Sequence, residues 1–268
     1  MLRIFNGIAL CLALCFGGSV IAQEFWMMPE KFHYHKGDTL KAKFNVGNNF
    51  TGETWNLRPE RIQSVKGFSN NQSIDLTTKA LPGTNDHLKI LLASEGSYII
   101  AMEGKSAFVE LGAERFNAYL KENALDDVIN QRKKNNATDL PGKEFYIRNT
   151  KLIVQTGDRL DDGYKKRTGL TLDIIPQTNP TSYKVGDMIK FTILFDGKPL
   201  FGARAFSMNN KENRVYAQPI YTQQDGSIEV RLFNDGLWMI TVVTMIPSKD
   251  KRADWQSYWG TFLFSVEQ

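Results

Sequence analysis

Gly169-Leu-Thr-Leu-Asp-Ile-Ile-Pro176 decides the fold. It reads as a short strand closed by the turn that runs from Pro176 to Pro180. Turn signals then recur at strand-length intervals. Gly186-Asp187, Asp196-Gly197 and Asp225-Gly226 separate further strands, and Asp235-Gly236 precedes the apolar run 237–244, which contains Trp238. About a hundred residues of short strands at this spacing predict an immunoglobulin-like β-sandwich over residues 164–268, with Trp238 in its core.

The same pattern extends toward the amino terminus. In residues 38–46, Leu40, Ala42, Phe44 and Val46 point one way while Lys41, Lys43 and Asn45 point the other, as in a half-buried strand. Leu88, Ile90 and Leu92 alternate likewise, and Glu95-Gly96 turns the chain into the apolar stretch 97–102. One segment follows a different period. Phe116, Tyr119, Leu120, Ala124, Val128 and Ile129 recur every three or four residues, which predicts one amphipathic helix over about 113–134. Glu114 in its first turn and Arg132, Lys133 and Lys134 in its last suit the helix dipole. The turn-rich string from Gly157 to Gly163 marks a boundary. The expected architecture is therefore mostly β: an N-terminal β-rich region with one helix over 23–163, then the sandwich.

Residues 1–22 read as a secretory signal peptide: Arg3, an apolar run, and Val20-Ile21-Ala22 before the cut. The chain is expected to be exported, most simply to a periplasm, and to begin at Gln23. Removal of Arg3 lowers the formal charge from +4 to +3. The lysines are dispersed and no basic run exceeds Arg132-Lys-Lys134, so nucleic acid is not an expected partner. Both cysteines, Cys11 and Cys15, fall in the leader, which leaves the mature chain without a thiol or disulfide. Beyond the leader no apolar run reaches membrane-spanning length.

The residues favour binding over catalysis. There is no Gly-x-Ser-x-Gly elbow, no His-Glu-x-x-His and no P-loop, and the acid pairs Asp126-Asp127 and Asp161-Asp162 read as solvated. His33 and His35 lie two apart, so on a strand they share a face and could share a metal. His87 beside Asp86, the Gln23 amine and the Glu24 carboxylate could add ligands, a donor set that suits a divalent transition metal. Trp255, Tyr258 and Trp259 form a polar-aromatic patch that could contact a glycan. The core-packing reading competes for every tryptophan.

Several segments, in order, resemble one family. They are Glu24-Phe-Trp-Met-Met-Pro-Glu-Lys-Phe32, the helix from Ala113 to Asp126, Lys151-Leu-Ile-Val-Gln-Thr-Gly157, the 169–176 strand with Asn179-Pro180, Asp196-Gly-Lys-Pro-Leu200, Asp225-Gly226 and Gly236-Leu-Trp238. The chain resembles an uncharacterised exported bacterial domain family, grouped with periplasmic accessory components of nickel and cobalt uptake. The resemblance implies a periplasmic binding or accessory protein working with a membrane transport component. It also implies a histidine at the start of the mature chain and another near the end of the Trp238 strand. Here those places hold Gln23 and Thr244-Met245. The alternatives are a carbohydrate- or envelope-binding module and a purely structural envelope protein.

Overall fold

The computed structural model of the protein describes residues 23–69, 72–83 and 86–267. The expected leader, 1–22, lies outside the described residues. In chain order the first nine strands are β1 Glu24–Pro29, β2 His33–Tyr34, β3 Thr39–Asn48, β4 Thr51–Thr54, β5 Ile62–Phe68, β6 Ser73–Asp75, β7 Leu88–Leu91, β8 Gly96–Gly104 and β9 Ala107–Leu111. Two helices follow, α1 Ala113–Glu122 and α2 Asp126–Lys134. The remaining strands are β10 Gly142–Thr156, β11 Leu172–Pro176, β12 Met188–Phe195, β13 Lys198–Pro199, β14 Arg204–Lys211, β15 Arg214–Tyr221, β16 Ser227–Arg231, β17 Gly236–Pro247 and β18 Trp255–Val266.

These strands form three sheets. A central sheet runs β15-β14-β17-β18-β10-β8-β5-β6, with β2 and β9 also paired to β10. It crosses residue 163 without interruption, because β10 from the first half pairs in parallel with β18 from the second: Arg148 lies opposite Trp259 and Leu152 opposite Leu263. A small sheet of β1, β3, β4 and β7 covers part of one face, and a small sheet of β11, β12, β13 and β16 covers the other.

Side-chain alternation explains why three layers form. Successive strand residues point to opposite faces, and the central strands are apolar on both. Leu152, Val154, Ile100, Met102, Met239 and Leu263 pack under the first small sheet with Phe25, Leu40, Ala42 and Phe44. Their immediate neighbours Ile153, Ile99, Ile240, Phe262 and Phe264 pack under the second, with Ile174, Phe191 and Ile193. The mostly β, sandwich-like architecture expected from the turn spacing is thus what the chain adopts, and the strand residues Leu40, Ala42, Phe44 and Val46 are all buried. Trp238 is completely buried, and its indole N–H donates to the Asn234 carbonyl at 3.0 Å.

The single helix expected over 113–134 is instead two. Ala124 takes φ +50 in the left-handed region, and Asn123 Nδ2 donates back to the Tyr119 carbonyl at 3.0 Å, ending α1. The break lets Phe116, Tyr119 and Leu120 of α1 and Val128 of α2 enter one cluster with Val243, Met245, Trp255 and Trp259. The helices therefore cover the part of the central sheet that the β1 sheet leaves open. Among the described residues no helix is long and apolar enough to cross a membrane.

Candidate functional site

The histidines are dispersed. His33 is exposed, with Nε2 3.8 Å from Asp158 Oδ1. His35 is exposed beyond the end of β2. His87 is buried and fully engaged: Nδ1 accepts the Phe44 N–H at 2.9 Å, so Nε2 carries the proton and donates to the Gly83 carbonyl at 2.9 Å. Neither ring nitrogen is left to hold a metal, and burial lowers the His87 pKa. Gln23 is half-buried at the start of the described chain. Glu24 begins β1, where it pairs with Gly47 while its Oε2 accepts the Asn49 N–H at 2.9 Å. Burial pushes its carboxyl up to about 7, against the lowering effect of that hydrogen bond. Among the described residues no three His, Cys, Asp or Glu side chains converge.

The expected aromatic platform is taken apart by packing. Trp255 and Trp259 are buried under the helices, with the Tyr119 ring stacked on Trp259 at 5.6 Å. Tyr258, the alternating neighbour, points to the other side of the sheet and is half-buried against Phe195 at 5.0 Å. Trp26 is buried, and Trp55 is half-buried.

A different cleft gathers the unpaired chemistry. It lies beside β1, over the ends of β8, β9 and β10, and encloses about 310 Å³. Its walls are the rings of Phe25, Trp55, Phe108 and Tyr146, Asn56 adds a neutral amide, and its charged groups are all cationic: Arg58, Arg61, Lys105 and Arg148. The local sequence explains each position. Pro59 starts the short 3-10 turn Pro59–Arg61, which holds Arg58 and Arg61 at the rim. The Lys105 N–H donates to the Arg61 carbonyl at 2.8 Å, which locks the β8–β9 turn onto that rim. Trp55 is fixed by its N–H on the Phe44 carbonyl at 2.7 Å, and its ring meets Phe25 edge-on at 5.1 Å. Phe25 is held in turn by the Thr261 hydroxyl, which donates to its carbonyl at 2.7 Å.

Arg148 is the centre of this arrangement. Its guanidinium lies over the rings of Phe25 at 5.1 Å and Tyr146 at 5.3 Å. Burial pulls its pKa below the usual arginine value, yet an arginine stays charged in proteins. No carboxylate lines the cleft, and none of the four cations has an ion-pair partner among the described residues. Cation–π contact offsets part of the desolvation cost, but the planar N–H fork of Arg148 is left without an acceptor. A carboxylate, phosphate or sulfate would supply one in a bidentate geometry.

Sequence reasoning missed this cleft. Its only linear trace is Trp55-Asn-Leu-Arg58-Pro-Glu-Arg61, where an aromatic ring and two arginines bracket a proline, and Tyr146-Ile-Arg148 on one face of a strand.

Comparison with known proteins adds a family and little else. A search of the curated proteins finds no match. Among solved structures the chain is similar to a mutant of Salmonella alpha-2-macroglobulin, at 9% identity and TM-score 0.25, covering 90% of this chain and 15% of that one. It is also similar to three N-terminal domains of the highly immunogenic outer capsid protein (Hoc) of bacteriophage RB49, at 11% identity and TM-score 0.19, covering 90% and 59%. The chain thus spans less than two thirds of either protein. A family model, by contrast, matches residues 20–246, the greater part of the sequence. On that match the chain belongs to the DUF4198 family, a domain of unknown function.

Proposed function

We propose that this chain is an exported, non-enzymatic binding protein that takes up a small anionic ligand in the cleft beside β1. The observation that carries the reading is Arg148, a desolvated guanidinium set over two aromatic rings and joined by three further cations with no carboxylate among them. Uncompensated charge of one sign in a cleft with low-dielectric walls raises the local concentration of the opposite sign. A binding role follows from the lining, which offers cations and rings but no carboxylate, imidazole or thiol to act as base or nucleophile.

Isothermal titration of the mature chain against a panel of aliphatic and aromatic carboxylates, phosphate and sulfate esters tests it. At least one class binds with millimolar or tighter affinity, and Arg148→Ala weakens it by about ten- to a hundredfold, as expected for a charge-assisted bond. Arg148→Lys recovers part of the loss, since it keeps the charge and loses the fork. Absence of binding across the panel, or equal binding by Arg148→Ala, overturns the proposal.

A second reading places the chain as an accessory to nickel or cobalt uptake. Its support is the exposed His33 imidazole with the Asp158 carboxylate 3.8 Å away and His35 two residues on. Titration with Ni²⁺, Co²⁺, Cu²⁺ and Zn²⁺ decides it: binding lost in His33→Ala supports this reading, and no binding to any of the four removes it.

A further inference from the structure

A second cleft opens on the opposite face of the central sheet, where Phe145 points away from Tyr146 and Tyr258 points away from Trp259. It encloses about 620 Å³ between the β12–β13 turn, the β17–β18 connection and β18 itself. That size falls within the range of small-ligand sites. Its charge character is unlike that of the arginine cleft. Arg252 is neutralised by a bidentate pair with Asp250, with Nη2 to Oδ2 at 2.7 Å and Nε to Oδ1 at 3.0 Å. Lys249 and Asp196 add one charge of each sign to the same lining. The cleft therefore carries cations and carboxylates in equal number and does not select for net charge.

What it offers instead is aromatic surface beside undirected hydrogen-bonding groups. The rings of Phe195 and Tyr258 meet at 5.0 Å and 62°, both half-buried, forming two walls of a corner. The Tyr258 hydroxyl has no hydrogen-bond partner among the described residues. Burial raises its pKa, and the nearby carboxylates of Glu103 and Asp196 raise it further, so it stays a protonated donor. Asp196 sits at φ +48 in the tight turn with Gly197, which presents its carboxylate at the rim as an acceptor. Gln256 is oriented by its Nε2, which donates to the carbonyls of Phe145 and Ser257 at 3.1 Å each, and its Oε1 is left as a further acceptor.

We infer that this cleft binds a neutral sugar unit of an oligosaccharide. A pyranose has an apolar face of C–H groups that packs against a ring, and a rim of hydroxyls that both donate and accept. The Phe195–Tyr258 corner suits the first. The Tyr258 hydroxyl, Asp196 and Gln256 supply a donor and two acceptors for the second. The inference relocates a glycan contact from the buried indoles of Trp255 and Trp259 to Tyr258, and it does not rest on the anion proposal.

The test uses the full mature chain and neutral linear tetrasaccharides of glucose (α- and β-linked) and N-acetylglucosamine. Saturation-transfer NMR identifies binders, and isothermal titration gives affinities. At least one binds with a Kd of about 1 mM or tighter. Tyr258→Phe keeps the ring and removes the hydroxyl, and it weakens that affinity roughly three- to tenfold. Phe195→Ala removes the stacking wall and abolishes the signal, while Arg148→Ala on the other face leaves sugar binding unchanged. No binder in the panel, unchanged affinity in Tyr258→Phe, or a parallel loss in Arg148→Ala overturns the inference. The last of these would place sugar in the arginine cleft.

Discussion

Glu144 should make the protein less stable as pH rises, and Glu144→Gln should remove that loss. The residue sits in β10, completely buried beneath α1, with Oε1 accepting the Ser257 hydroxyl at 3.3 Å. Its Oε2 and the Tyr119 hydroxyl are near enough to influence each other but make no well-formed hydrogen bond. Burial raises the carboxyl from 4.5 to about 8, and the contacts with Ser257 and Tyr119 lower it only in part. At pH 7 the folded protein therefore holds a proton that the unfolded chain has released. Stability falls wherever the unfolded state binds fewer protons, so the loss begins near pH 4.5 and is complete near pH 8. At 1.36 kcal/mol per pH step the cost at pH 7 is about 3 kcal/mol. Glutamine has the same shape and no proton to lose. Thermal unfolding of the two proteins from pH 4 to pH 8.5 should show nearly equal midpoints at the acid end. The variant should be higher at pH 7 by roughly 6–12 °C, using about 2–4 °C per kcal/mol for a chain of this size. Glu24, with its carboxyl also raised by burial, adds its own loss to both proteins and cancels in the difference. A difference that does not change between pH 4.5 and pH 8 would refute the reasoning, because it would mean Glu144 is ionised in the folded state.

The buried pair of Lys151 and Asp173, 2.7 Å apart, should be costly to split: Lys151→Met should lose about 3–5 kcal/mol in denaturant unfolding, and adding Asp173→Asn should recover part by removing the stranded charge. Gly142→Ala would place a methyl 2.2 Å from the Phe116 ring and should cost about 1–3 kcal/mol by pushing α1 off the sheet, measurable in the same assay. His87 accepts the Phe44 N–H only when neutral, and burial lowers its pKa from 6.5. Its contribution to stability should therefore be lost as pH falls below 6.5, against the opposite contribution of Glu144, and the margin of the wild-type protein over His87→Ala should shrink across that range.

How much of this was legible in the sequence follows from how far apart the interacting residues are. Strands with one buried face announce themselves by alternation, as Leu40 to Val46 do. Leu152-Ile153-Val154 does not alternate, because both faces of β10 are covered, and nothing local says which neighbour belongs to which layer. The parallel pairing of β10 with β18 joins residues more than a hundred positions apart and leaves no periodic trace. The periodicity of 113–134 was real, but the left-handed Ala124 that splits it depends on the cluster the two pieces then enter. Trp255 and Trp259 were ambiguous for the same reason: their exposure depends on where α1 docks. The arginine cleft was the least legible, since Phe25, Arg58, Lys105 and Arg148 come from four separate segments. Absence of a counter-charge is a property of three-dimensional surroundings, and a sequence shows only linear ones.

The position of β18 also sets an order of events. It is the last strand of the described chain, yet it lies between β17 and β10 in the middle of the ten-stranded sheet. Until it arrives, β10 presents an unpaired edge of nine residues, Glu144–Leu152, and β17 one of twelve, Gly236–Pro247, the kind of template that recruits strands from other chains. Neither half of the central sheet can close early, so folding must wait for contacts of long sequence separation, which slows it. A chain built this way is most vulnerable to aggregation just before this twelve-residue strand inserts, and anything that delays that insertion lengthens the exposure.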